Sequence, residues 1–178
     1  QNDKNYLEEI LGKIITIRLE SLNKIFPDNL KGKLALLATF AGDNLKVDSP
    51  DNELARLSTL NVFPSPTANQ LNEWKLLSQL ILTKKGEFRK NITKTIGFPA
   101  TQKQEKKDFK EILKTVYAVP NLPSLLFSVQ SLPIPKFSED EWDSLKSFIS
   151  LLPALENILR QVFSDVGKTD FAEISLSA

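Results

Sequence analysis

The chain has 178 residues, 41% apolar and 25% charged, a formal charge of +1, and neither cysteine nor histidine. That balance suits one globular domain, or one and part of another, with a core that needs no covalent staples, and no run approaches the ~18 apolar residues of a membrane span, so a cytoplasmic setting without a membrane partner is expected. The two missing residue types exclude Cys/His zinc sites, Ser-His-Asp triads and Cys-His nucleophiles, which leaves carboxylates, Lys, Tyr, Ser and Thr for any chemistry.

The elements read mostly as helices. Leu7, Ile10, Leu11, Ile14, Ile15, Leu22 and Ile25 recur at helical spacing and predict a helix over 6–26, stopped by Pro27. A second helix is expected over 30–44, and a short third started by Ser49 as cap with Pro50 in its first turn. After the stiff Phe63-Pro64-Ser65-Pro66, Thr67 and Gln70 form a capping-box pattern before Leu71, Trp74, Leu77, Leu80 and Ile81, giving a helix that reaches about Thr83. The stretch 86–101 reads as loop and 103–117 as helix.

Prolines 120, 123, 133 and 135 then break the chain into a corner holding a short helix over 125–131. Ser138 and Glu141 form another capping box, opening a helix that carries Trp142, Leu145, Phe148, Ile149 and Leu152 and continues past Pro153 to about Phe163, with a kink or break expected near Leu151. Asp170-Phe171-Ala172-Glu173-Ile174 starts one more helical pattern close to the end. The chain opens on Gln1-Asn2-Asp3-Lys4 and contains no methionine, so it reads as an internal piece of a longer protein. Sustained strand-like alternation is lacking.

Charge is unevenly spread. Between residues 84 and 110 there are nine basic residues against three acidic ones, a local excess of +6, whereas the rest of the chain is net acidic. Lys84, Lys85, Arg89, Lys90 and Lys94 lie in or beside the loop and are candidates to neutralise phosphates; the plainer reading is a solvated surface. Phe88 and Phe98, interleaved with them, either stack on bases or anchor the loop to the core, and anchoring is the commoner role.

Catalytic signals are weak. Gly167-Lys168-Thr169 resembles the tail of a phosphate-binding loop, but Val162 stands where its first glycine belongs, and the Gly12-Lys13 and Gly32-Lys33 pairs lack the rest of that motif. Glu139-Asp140-Glu141 is better explained as a helix first turn, where carboxylates favour the positive end of the dipole, than as a metal cluster.

The order of motifs in the later part points to a family. Trp74, then Leu80-Ile81-Leu82-Thr83-Lys84-Lys85-Gly86-Glu87-Phe88-Arg89-Lys90, Gly97-Phe98-Pro99, Leu132-Pro133-Ile134-Pro135, Trp142, Leu151-Leu152-Pro153, and Val162-Phe163 through Asp170-Phe171-Ala172-Glu173-Ile174 resemble one region of UvrD/Rep-type DNA helicases, close to the AddA and RecB helicase-nucleases. The match runs over about 67–178; residues 1–66 offer a compatible helical pattern.

The resemblance implies an all-α, mainly α fold: a multi-helix accessory (1B-like) subdomain inserted in a RecA-like motor domain, with 1–165 forming the subdomain and 166–178 starting the return into the motor. The complete enzyme would couple ATP and Mg to 3′-to-5′ movement on DNA in repair and recombination, with a nuclease domain in the closest relatives. This piece would hold no cofactor and no catalytic residue. It would contact single-stranded DNA or a duplex junction non-specifically, through Lys84, Lys85, Arg89, Lys90 and Lys94, and would meet other subdomains of the helicase and a partner nuclease subunit. Two other classes remain: a helical protein-interaction or scaffold domain with no nucleic-acid role, and, weakest, a stand-alone enzyme.

Overall fold

In the computed structural model, which describes residues 2–166, the apolar stripes become six α-helices, with no strand among those residues. They are α1 (Asn2–Ile25), α2 (Asp28–Asp48), α3 (Leu71–Ile81), α4 (Lys103–Ala118), α5 (Leu122–Gln130) and α6 (Glu139–Val166), joined by 3-10 turns over Glu53–Thr59, Ala68–Gln70 and Lys94–Ile96. The chain is therefore mainly α. It divides into two compact units, Gln1–Pro135 and Lys136–Ala178.

Within the first unit, Pro27 halts α1 and serves as the N-cap of α2, so the two helices meet at a tight corner. Lys31 stitches that corner: its Nζ donates to the Asn23 carbonyl at 3.1 Å and pairs with Asp28 at 2.6 Å. α2 packs on the Glu53–Thr59 turn and on α4, α1 packs on α5, and α3 lies between α5 and the Glu53–Thr59 turn. Helix α3 is the centre of this arrangement because Leu71, Trp74, Leu76, Leu77, Ser78, Leu80 and Ile81 are all buried. Each large apolar side chain so buried contributes roughly 1.5–3 kcal/mol by leaving water. Trp74 also satisfies its one polar atom, donating Nε1–H to the Ser65 carbonyl at 2.9 Å, and takes Phe63 edge-on at 5.1 Å.

Several expected boundaries move. Helix α2 runs on to Asp48, and Ser49 is its C-cap, donating N–H to the Leu45 carbonyl at 2.7 Å. The next element is a 3-10 helix capped by Asn52, whose side chain accepts from Leu54 N–H at 3.0 Å; the pair Ser49-Pro50 does not start it. Thr67 makes no side-chain cap bond. Gln70 instead turns back to Ser65, its Oε1 accepting from the Ser65 hydroxyl at 3.0 Å and from the Ser65 N–H. Helix α3 ends at Ile81 because Leu82 takes an extended conformation. Helix α5 begins earlier than expected, at Leu122, with Pro123 in its first turn where no backbone donor is needed.

In the second unit the Ser138–Glu141 capping box forms as expected. The Glu141 carboxylate accepts from Ser138 N–H at 2.8 Å, and Ser138 Oγ accepts from Glu141 N–H at 3.2 Å. Trp142 is buried and lies 6.2 Å from Phe137, ring to ring. Helix α6 runs unbroken through Pro153, so of the kink or break expected near Leu151 the break does not occur; the proline removes one backbone bond without ending the helix. The Gly167-Lys168-Thr169 and 170–174 patterns lie outside the described residues, as does nearly all of the stretch assigned to the return into a motor domain. No single described helix is long and apolar enough to cross a membrane. The α4 and α5 pair, bent by 105°, is together long and apolar enough, but Phe109, Ile112, Val116, Leu122 and Leu126 on it are buried in the core.

Candidate nucleic-acid interface

The basic stretch begins where α3 ends. Leu82 and Phe88 form an isolated antiparallel bridge, so the chain reverses over 82–88. Thr83 closes the reversal: its N–H donates to the Glu87 carbonyl at 2.7 Å, and its carbonyl accepts from Gly86 N–H at 2.9 Å. Gly86 has φ +78°, the left-handed conformation that side chains disfavour, and a Cβ there would sit 2.8 Å from the Phe127 ring. Lys84 and Lys85 are exposed at the tip.

Arg89 leaves the reversal and reaches back to α3. Its Nη2 donates to the Gln79 carbonyl at 2.8 Å and its Nε to the Leu80 carbonyl at 3.1 Å, while its backbone N–H donates to Ile81 at 3.3 Å. The last carbonyls of a helix have no partners of their own and carry the negative end of the dipole, so a guanidinium is well placed to cap them. Half-burial pushes the Arg89 pKa down by desolvation, yet the guanidinium stays protonated at any ordinary pH.

Beyond Arg89 the chain passes through 90–93, a 3-10 turn over Lys94–Ile96, and Gly97, whose φ of +85° turns it inward. Phe98 is fully buried, stacked on Phe109 of α4 at 4.8 Å and tilted against Phe40 of α2 at 5.9 Å. Asn44 Nδ2 donates to the Gly97 carbonyl at 2.9 Å. Phe88 packs edge-on against Tyr117 at 5.3 Å. Both phenylalanines therefore anchor the loop, the commoner of the two roles open to them.

Anchored this way, the segment 90–93 stands opposite α4. The two walls enclose a groove of about 450 Å³, lined on one side by Lys90, Asn91, Ile92 and Thr93 and on the other by Lys103, Lys106, Lys107 and Lys110. The four helix lysines face it because their spacing of three, one and three residues keeps them on one face, while Phe109, Ile112, Leu113 and Val116 point into the core. Asp108 is drawn aside, pairing with Lys33 at 3.2 Å and accepting from Gln104 at 3.0 Å. Five like charges around one groove repel each other and concentrate a positive potential there, which an anion relieves.

The five residues singled out from the sequence are thus divided. Lys90 lines the lysine groove. Lys84 and Arg89 border a different cavity, of about 420 Å³, with Glu53, Gln79 and Gln130. Lys85 is exposed at the tip, and Lys94 pairs with Asp48 at 3.3 Å. The groove's other lysines, 103, 106, 107 and 110, belong to the charge excess read from the sequence but not to its five candidates. Their helical spacing was the signal that could have found them.

No group of His, Cys, Asp or Glu side chains that could hold a metal converges among the described residues. Gly12-Lys13 and Gly32-Lys33 lie inside α1 and α2, where their backbone N–H groups belong to helices and cannot wrap a phosphate. No family model, curated protein or solved structure matches the chain.

Proposed function

We propose that this chain is the helical accessory part of an ATP-dependent DNA helicase of the UvrD/Rep type, inserted in a RecA-like motor, and that its own contribution is non-specific contact with the DNA backbone. The observation that carries the reading is the groove walled by Lys90 and by Lys103, Lys106, Lys107 and Lys110. Lysines act there as point charges on phosphates. No aromatic ring lines the groove, so it offers no readout of bases, which suits a motor that must accept any sequence. Lys84 and Lys85 add exposed charge on the neighbouring turn. Nucleotide binding and any nuclease activity belong, in this reading, to segments outside the described chain, and the setting is cytoplasmic.

Fluorescence anisotropy of a labelled oligonucleotide against salt tests the reading. Binding should weaken steeply as salt rises, and each reversal at Lys106, Lys107 or Lys110 to Glu should lower the slope of log affinity on log salt by about 0.9 on duplex or about 0.7 on single strand. Unchanged affinity and slope in the triple variant would overturn it.

A second reading, a helical protein-interaction domain without a nucleic-acid role, draws on a different observation. Phe148, Leu152, Leu155, Leu159 and Val162 recur every three or four residues along α6 and remain about half exposed. That reading expects no DNA binding even at low salt, which the same titration reports.

A further inference from the structure

Helix α4 carries more than the groove lysines. Lys103, Lys107, Lys110, Lys114 and Tyr117 follow at intervals of four, three, four and three residues, which places all five in one row along the helix. All five are exposed. The row spans about 21 Å at ~1.5 Å per residue, the rise of some six stacked nucleotides. Of the carboxylates on α4, Glu105 is partly covered, Asp108 is paired with Lys33, and Glu111 is exposed on the flank of the row.

The last member is the unusual one. Tyr117 keeps 69% of its surface exposed although it lies at the end of a helix whose other face is core. It is held in place. Phe88, fixed by its bridge to Leu82, meets the tyrosine ring at 5.3 Å and 85°. An aromatic ring fixed on one side, open on another and placed at the end of a lysine row has the features of a stacking platform for single strands: charge for the backbone, a π-face for a base.

We propose that α4 binds single-stranded DNA, with phosphates along Lys103, Lys107, Lys110 and Lys114 and an unpaired base stacked on Tyr117. This rests on the backbone-binding reading above and adds to it a base contact, and hence a preference for unpaired over paired strands. The contact is indifferent to base identity, because every base offers a π-face.

The test compares a labelled dT12 strand with an abasic 12-mer of the same charge, both titrated with the whole chain at low salt. The intact protein should bind dT12 roughly tenfold more tightly than the abasic strand, the gain expected of one good stack. Tyr117→Ala should bring the dT12 affinity down to the abasic level, and Tyr117→Phe should retain the gain, since the ring and not the hydroxyl carries it. Circular dichroism checks that both variants fold. Equal binding of dT12 and the abasic strand by the intact protein, or a dT12 advantage that survives Tyr117→Ala, would overturn the base site and leave the backbone reading standing. Failure of both strands to bind would sink both.

Discussion

Arg89 Nη2 lies 2.8 Å from the carbonyl oxygen of Gln79, a residue of the last turn of α3 and ten positions earlier in the chain. With Nε on Leu80 at 3.1 Å, the guanidinium closes the helix end and ties the 82–88 reversal to it. Arg89→Ala should therefore cost about 1.5–3 kcal/mol, the range for hydrogen bonds to a charged group, read as a lower urea midpoint. Arg89→Lys should recover only part of it, because an ammonium cannot reproduce the fork. An unchanged midpoint for Arg89→Ala would remove the capping role. Charge reversal at this residue would mix lost stability with lost affinity, so Lys107 and Lys110 are the cleaner probes of binding.

Ser78 is fully buried on α3 and bonded twice to α5: Oγ donates to the Leu126 carbonyl at 2.6 Å and accepts from Gln130 Nε2 at 2.9 Å. Ser78→Ala should destabilise by about 1–3 kcal/mol, since it leaves a partly buried amide without its acceptor. Chemical denaturation measures it, and a loss below about 0.5 kcal/mol would show that solvent reaches the pair.

Gly97 combines φ +85° with a Cβ position 2.1 Å from the Ala41 carbonyl oxygen. Gly97→Ala meets backbone strain and a backbone collision together. The loss should exceed about 3 kcal/mol, with melting lowered by at least about six degrees or expression lost. A near-native melting temperature would mean that α2 and the loop can separate without penalty.

Ser138→Ala removes one arm of the capping box of α6 and should cost about 1 kcal/mol locally. Hydrogen exchange of the first-turn amides of α6 is the direct readout. Their protection should fall while amides of α3 stay unchanged.

The helices were legible where periodicity was strong. The stripes of α1 and α3 each give the right element, 103–117 reads correctly as the helix α4, and the Ser138–Glu141 pair marks the start of α6, because these signals depend on residues within one or two turns. The Glu53–Thr59 turn is not legible from Ser49-Pro50 because Asn52 satisfies its first donors, and because burial of Leu54 and Leu57 with α2 is decided by tertiary packing. The same limit applies to the site. Sequence shows that Arg89 is charged, but only the reversal over 82–88 brings the carbonyls of Gln79 and Leu80 within its reach. Tyr117 and Phe88 are 29 positions apart, so nothing local could pair them.

The stack of Phe98 on Phe109 acts beyond the core it helps to fill. One ring belongs to the segment that continues from Lys90 to Thr93, the other to the helix that carries Lys106, Lys107 and Lys110. The ring pair is thus a caliper: the gap between two cationic walls is held by the thickness of two uncharged side chains. Trimming either ring to leucine should change the width of that gap without altering one charge.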